Sequence, residues 1–182
     1  MGAVVRTGIV ALALAVSAAC SGKGGNVDST SASRAVTITM ERTPCFGRCP
    51  VYRVSLNDSG TVVYEGRGFV RENGRHETTV RGGDVQALAK EIEDAGWFSL
   101  RDNYPPDVTD HASVITTVTI DGRTKRVEHN LGSRTAPATL EVLYARIDDV
   151  AGTKQWVGEG ATPRAGEKGG GPDTARRDTA VR

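Results

Sequence analysis

Two cysteines four positions apart are the residues of this 182-residue chain best able to do chemistry. Cys45 and Cys49 stand in Thr43-Pro44-Cys45-Phe46-Gly47-Arg48-Cys49-Pro50. A thiol pair can close a disulfide, exchange electrons, or hold a soft metal ion. Extended chain would hold the two Cα atoms about 13 Å apart, beyond disulfide reach, so the segment must curl to bond. Pro44 and Pro50 bracket that curl, and Gly47 can supply a positive φ at its apex. A loop this small contributes about 2 kcal/mol in the chain-entropy description of disulfides. Redox exchange wants Cys-x-x-Cys at a helix N-terminus, where the dipole lowers a thiol pKa. Here three residues intervene, and Tyr52, Val54 and Leu56 then alternate like a strand. Copper binding through Cys45 and Cys49 needs a further ligand; His129, His111 and Asp110 are the candidates, and spacing selects none of them.

The third cysteine, Cys20, has different surroundings. Arg6 precedes an apolar run, Gly8–Ala19 (GIVALALAVSAA), too short to cross a bilayer core of about 30 Å as a helix and ending in small residues. Ser17-Ala18-Ala19-Cys20 resembles the lipobox read by lipoprotein signal peptidase, departing from it at Ser17, where the pattern prefers Leu. The resemblance implies cleavage after Ala19, lipidation of Cys20, and a chain held at a membrane in the cell envelope. Ser21 is not the aspartate that, by resemblance to Gram-negative sorting rules, retains lipoproteins at the inner membrane. An outer-membrane address facing the periplasm follows where the organism has one. Assigning Cys20 to lipid leaves Cys45 and Cys49 as an even pair in an oxidising compartment, where a disulfide is expected.

The remaining candidates are weaker. Asp102–His111 gathers three carboxylates and a histidine, but prolines stand where a hard-cation loop needs a glycine turn; Asp110 reads as a cap on local backbone N–H groups. His76 and His129 read as surface residues. No serine lies in Gly-x-Ser-x-Gly, and Gly66-Arg67-Gly68 opens no helix that would cradle phosphate. The sequence therefore names no catalytic residue and no cofactor. With 23 basic against 22 acidic side chains, net charge +1 and 5% aromatic residues, there is no basic field or stacking platform for nucleic acid.

The elements that must position the cysteine loop follow from periodicity. Residues 20–35, after a leader over 1–19, are small and polar and read as a tether. Residues 158–182 are rich in Gly and Pro, with Val181 the single bulky apolar side chain, and read as a disordered tail. The folded unit is then 36–157. Val36, Ile38 and Met40 alternate as a half-buried strand, as do Tyr52, Val54 and Leu56. Asn57-Asp58-Ser59-Gly60 turns the chain toward Val62 and Tyr64. Asn73-Gly74 predicts a tight hairpin joining Phe69–Glu72 to Arg75–Val80. A helix carrying Val85, Leu88, Ile92 and Ala95 on one face follows, capped by Asp84 and stopped by Gly96. A hairpin over Ser113–His129 turns at Asp121-Gly122. A second helix shows Leu140, Leu143, Ile147 and Val150, with Pro137 in its first turn and Gly152 at its end. Trp97, Phe98 and Trp156 close the ends of the core. The order predicts a single small α+β domain, an antiparallel sheet with two helices packed on one face.

Cys45-Phe46-Gly47-x-Cys49-Pro50-x-Tyr52, then Gly60, Tyr64 with Gly66, Tyr104, Asp110 and Gly122, resemble the bacterial family named for domain of unknown function 6438, often found in lipoproteins. The resemblance spans about two thirds of the chain and implies the domain boundaries but no activity. Cys-x-x-x-Cys-Pro is also similar to the motif of Sco-type copper chaperones, in which the cysteines lead into a helix of a thioredoxin fold; that pattern is missing here. The expected function is a non-enzymatic envelope module that binds a protein or polysaccharide partner. The alternative is a copper-binding or thiol-redox protein.

Overall fold

Alternation in the first strand decides which way the sheet faces. The computed structural model describes Gly2 and residues 33–107 and 110–158; the leader, Cys20, most of the tether and the tail after Gly158 lie outside the described residues. In β1 (Val36–Arg42), Val36, Ile38, Met40 and Arg42 turn inward while Thr37, Thr39 and Glu41 turn outward. β2 (Val51–Asn57) pairs antiparallel with β1, and β3 (Thr61–Gly68) with β2, which sets Ile38 beside Leu56, Met40 beside Val54, and Val54 beside Tyr64. β4 (Gly74–Thr79) adds the edge strand on β3.

The chain then forms α1 (Gly82–Asp94), a 3₁₀ turn (Trp97–Ser99), and a two-residue strand β5 (Asn103–Tyr104). β6 (Ser113–Ile120) returns to pair with β1 on its free side, and β7 (Arg123–Asn130) pairs with β6. α2 (Thr139–Ala151) and a short α3 (Lys154–Val157) complete the fold. The sheet has seven strands in the order β4-β3-β2-β1-β6-β7-β5, antiparallel except for β5 against β7. An α+β domain with a mostly antiparallel sheet is thus what the residues build. α1 touches α2, β1 and β2, and α2 also touches β2. Val85, Leu88, Ile92, Leu140, Leu143 and Ile147 are buried with the inward residues of the strands, and Trp97 and Trp156 join the same core.

Several local expectations meet a different outcome. Asn73-Gly74 is no two-residue hairpin: β3 runs on to Gly68, Phe69 takes a positive φ of 52°, and Gly66 pairs with Gly74 across a longer loop. The N–H groups of Arg71 and Glu72 go to the carbonyls of Val157 and Trp156, so the expected strand over Phe69–Glu72 docks on α3 instead. Asp84 does not cap α1, which begins at Gly82 with Arg81 as N-cap and no side-chain cap. Asp84 pairs with Arg81 at 3.0 Å within the first turn, where negative charge suits the helix dipole. Pro137 precedes α2, whose N-cap is Ala138. Asp121 and Gly122 do turn the β6–β7 hairpin with φ of 49° and 79°, and Gly152 ends α2 at φ 65°.

Candidate functional site

β1 and β2 lie side by side at Arg42 and Tyr52, and the residues between them form the cysteine loop. Cys45 and Cys49 are joined as a disulfide with their Cα atoms 5.8 Å apart. The loop is tied down at its base. Thr43 N–H donates to the Ser113 carbonyl at 2.9 Å, Ser113 N–H donates to Thr43 Oγ1 at 2.8 Å, and Phe46 N–H reaches the Asp110 carbonyl at 3.2 Å. Gly47 sits at φ 159°, nearer extended backbone than the left-handed turn the sequence suggests.

Clamping the loop turns its apex outward. Phe46 is 92% exposed, and Phe69, which follows β3, is 55% exposed. The Arg48 guanidinium lies 5.9 Å from the Phe69 ring centre, within cation–π range. The disulfide-closed loop thus carries an exposed Phe46 and reaches the exposed Phe69 through Arg48.

Beneath the loop lies a buried polar network that sequence reading missed. Arg42 Nε donates to Tyr52 Oη at 2.8 Å, and Arg42 Nη2 meets Asp148 Oδ2 at 2.7 Å. Tyr52 Oη and Thr153 Oγ1 each donate to Asp148 Oδ1 at 2.7 Å. Burial by itself would weaken the Arg42 cation, but the Tyr52 and Asp148 oxygens outweigh it and hold its pKa above the ordinary value. Burial pushes the Tyr52 phenol upward; Asp148 adds to the shift and Arg42 opposes it. The network bolts α2 to both strand ends from which the loop hangs. A faint signal was present: Arg42 continues the inward alternation 36, 38, 40, and Asp148 follows Tyr144 by one helical turn.

Above Tyr52, Tyr64 stacks on Trp156 with ring centres 4.9 Å apart. The Tyr64 hydroxyl is buried without a hydrogen-bond partner among the described residues, and burial pushes its pKa up to about 12.

The histidines do not converge on the sulfurs as a ligand set. Among the described residues, no group of three His, Cys, Asp or Glu side chains is placed to hold a metal ion. His111 and Asp110 are exposed in the loop before β6. His129 is not a surface residue: only 2% exposed, it faces inward from β7 with Nδ1 3.4 Å from Tyr144 Oη, and Tyr104 packs edge-on against its ring. The inward register of β7, Val127 then His129, overrides the polar character of the side chain. His76 is half-buried and packs near Tyr64 and Trp156.

Burial lowers the His129 pKa below its ordinary value of about 6.5. The unfolded chain takes up a proton below that pH while the buried ring resists it, so stability falls as pH drops below about 6.5 and levels off at the folded pKa. Urea unfolding at pH 7.5 and 5.5 is expected to show this loss in the wild type. His129→Gln is expected to flatten it, and an undiminished slope in that variant would assign the effect to other groups.

A family model described as Domain of unknown function (DUF6438) matches residues 36–151, more than half of the chain, from the first residue of β1 to the last of α2. No curated protein matches the chain.

Proposed function

This chain belongs to the DUF6438 family, and on that premise we propose that it is a cell-envelope lipoprotein, held to a membrane through Cys20, whose domain is a non-enzymatic binding module. The reading takes the leader as 1–19, the tether as 20–35, the domain as 36–157 and a tail beyond it. Its address is the outer membrane, facing the periplasm, where the organism has one. Its partner is an envelope protein or polysaccharide. The two long helices pack together on the inward face of the sheet, a view supported by the contacts of α1 with α2, β1 and β2. Cys45 and Cys49 serve as a clasp.

The observation that carries this reading is Phe46, 92% exposed at the apex of a disulfide-closed loop. Burying a phenylalanine is worth about 1.5–3 kcal/mol, so holding one in water on stiffened backbone leaves that free energy for an encounter. Stiffening also lowers the ordering cost on binding. Aromatic anchors of this kind dominate the energetics of interfaces. The alternative, copper or thiol-redox chemistry at the same pair, requires the sulfurs to be released from each other.

A photoreactive benzoylphenylalanine placed at position 46, and separately at the accessible Val142 of α2 (62% exposed), tests the proposal. Illumination of the envelope of producing cells is expected to give a discrete adduct from position 46, weakened by Phe69→Ser, and none from position 142. The same pattern from both positions, or none from either, would remove the tip as a binding element.

A further inference from the structure

The outward face of the sheet carries four arginines and four glutamates, and their order is not arbitrary. Strand register lines the side chains up in rows across the sheet. The first row reads Arg75 (β4), Glu65 (β3), Arg53 (β2), Glu41 (β1), Ile115 (β6), Glu128 (β7). The second reads Glu77, Val63, Ser55, Thr39, Thr117, Arg126 across the same six strands. Beyond it, Thr79 and Thr61 on β4 and β3 stand against Thr37, Thr119 and Thr124 on β1, β6 and β7. Most of these side chains are exposed or half-buried, with Arg53, Glu77 and Arg126 each about half exposed.

We propose that this face docks a second copy of the chain, sheet against sheet, about a two-fold axis running between β1 and β2. Such an axis parallel to the strands keeps each row opposite itself and reverses its order. Arg53 then faces Glu41 of the other copy. Arg75 faces its Glu128, and Glu77 faces its Arg126, so the Arg75–Glu77 pair on β4 (2.7 Å) meets the oppositely oriented Arg126–Glu128 pair on β7 (2.9 Å). Ser55 meets Thr39 and Val63 meets Thr117, small side chains that let the sheets approach. Glu65 falls opposite Ile115 and keeps Arg67, its own neighbour at 3.3 Å.

A polysaccharide would gain little from this face. Among the described residues no aromatic side chain lies in these rows, and the guanidinium groups are already paired within the chain. A charge order that complements itself when reversed is what a second copy reads.

Six strands at about 4.8 Å spacing and three rows give a patch on the order of 600 Å² per copy, below the roughly 800 Å² per partner of a standard stable complex. The dimer is therefore weak in solution and sensitive to salt. For copies held on one membrane, effective concentration makes up the difference.

Sedimentation equilibrium of the full chain in density-matched non-ionic detergent tests this. The dimer association constant is expected to fall at least tenfold between 50 and 500 mM salt. Glu77→Arg alone and Arg126→Glu alone are each expected to lower it at least tenfold, and the two together to restore it to within about threefold. Residues 77 and 126 lie on strands at opposite sides of the sheet, so a rescue can arise only between copies. A wild-type chain that stays monomeric at low salt would overturn the proposal, a result independent of whether any variant folds. A double variant no better than the single ones would overturn it as well.

Discussion

Asp148→Ala is expected to destabilise the domain by about 3–5 kcal/mol, the cost of stranding one half of a buried ion pair. Arg42 and Asp148 keep only 7% and 12% of their side-chain surface, so neither regains water when the other is removed. The same substitution also takes the acceptor from Tyr52 and Thr153, at 2.7 Å each, and so loosens the corner between α2 and α3. Asp148→Asn, which keeps an acceptor of the same shape but not the charge, is expected to fall between wild type and alanine. Combining Arg42→Met, Tyr52→Phe and Asp148→Leu in one chain removes the charges and the phenol together. The expected result is near neutrality or a gain of about 1–4 kcal/mol. Urea unfolding of the variants checks the series. A small loss for Asp148→Ala would mean that Arg42 finds other partners, and that the network does not hold the base of the cysteine loop.

Gly60→Ala is expected to cost about 2–5 kcal/mol, from two sources that a second variant separates. Gly60 has φ 86°, where a side chain costs about 1–2 kcal/mol. A Cβ there would also lie 2.1 Å from the Val80 carbonyl oxygen, whose residue donates its N–H to the Gly60 carbonyl at 2.8 Å. Backbone must move to relieve that contact, at about 1–3 kcal/mol. Gly74 has nearly the same φ, 85°, with nothing among the described residues within 4 Å of the added carbon. Gly74→Ala should therefore show the conformational cost alone, about 1–2 kcal/mol. Equal losses in the two variants would mean that the close approach of Val80 relaxes freely.

These two sites show what a single sequence does and does not reveal. The turn at Asn57–Gly60 was readable, because Asn, Asp, Ser and Gly together signal a reversal, and Asn57 Oδ1 indeed accepts from Thr61 N–H at 2.9 Å. That Val80 returns to press on Gly60 was not, because the contact joins segments separated by two strands. The same division runs through the fold. Alternation in β1 and β2, the hairpin turn after β6, and the apolar stripes of α1 and α2 were legible as local patterns. The central place of β1, between β2 and the distant β6, depends on long-range pairing that no local pattern encodes. β5, the 3₁₀ turn and α3 are too short to carry a period. His129 defeats a reading by residue type, because its register with Val127 decides where it points. Asp84 has the type of a capping residue but lies inside its helix.

At the candidate site, the pairing of Cys45 with Cys49 was legible from cysteine arithmetic. The outward Phe46 was not: phenylalanine is buried by default, and only the geometry of the clamped loop reverses that. Arg42 and Asp148 are 106 residues apart in sequence, and their meeting is a product of the fold.

The claim beneath all of this is that the two sulfurs hold a shape and do no chemistry of their own. The most direct measurement is a titration of the purified full chain with a thiol reductant, followed by Cu(I), counting free thiols and bound metal. The account predicts a bond that survives millimolar reductant and a protein that binds no copper stoichiometrically. A pair that opens readily and takes up one Cu(I) per chain would contradict it, and would make the tip a reactive centre.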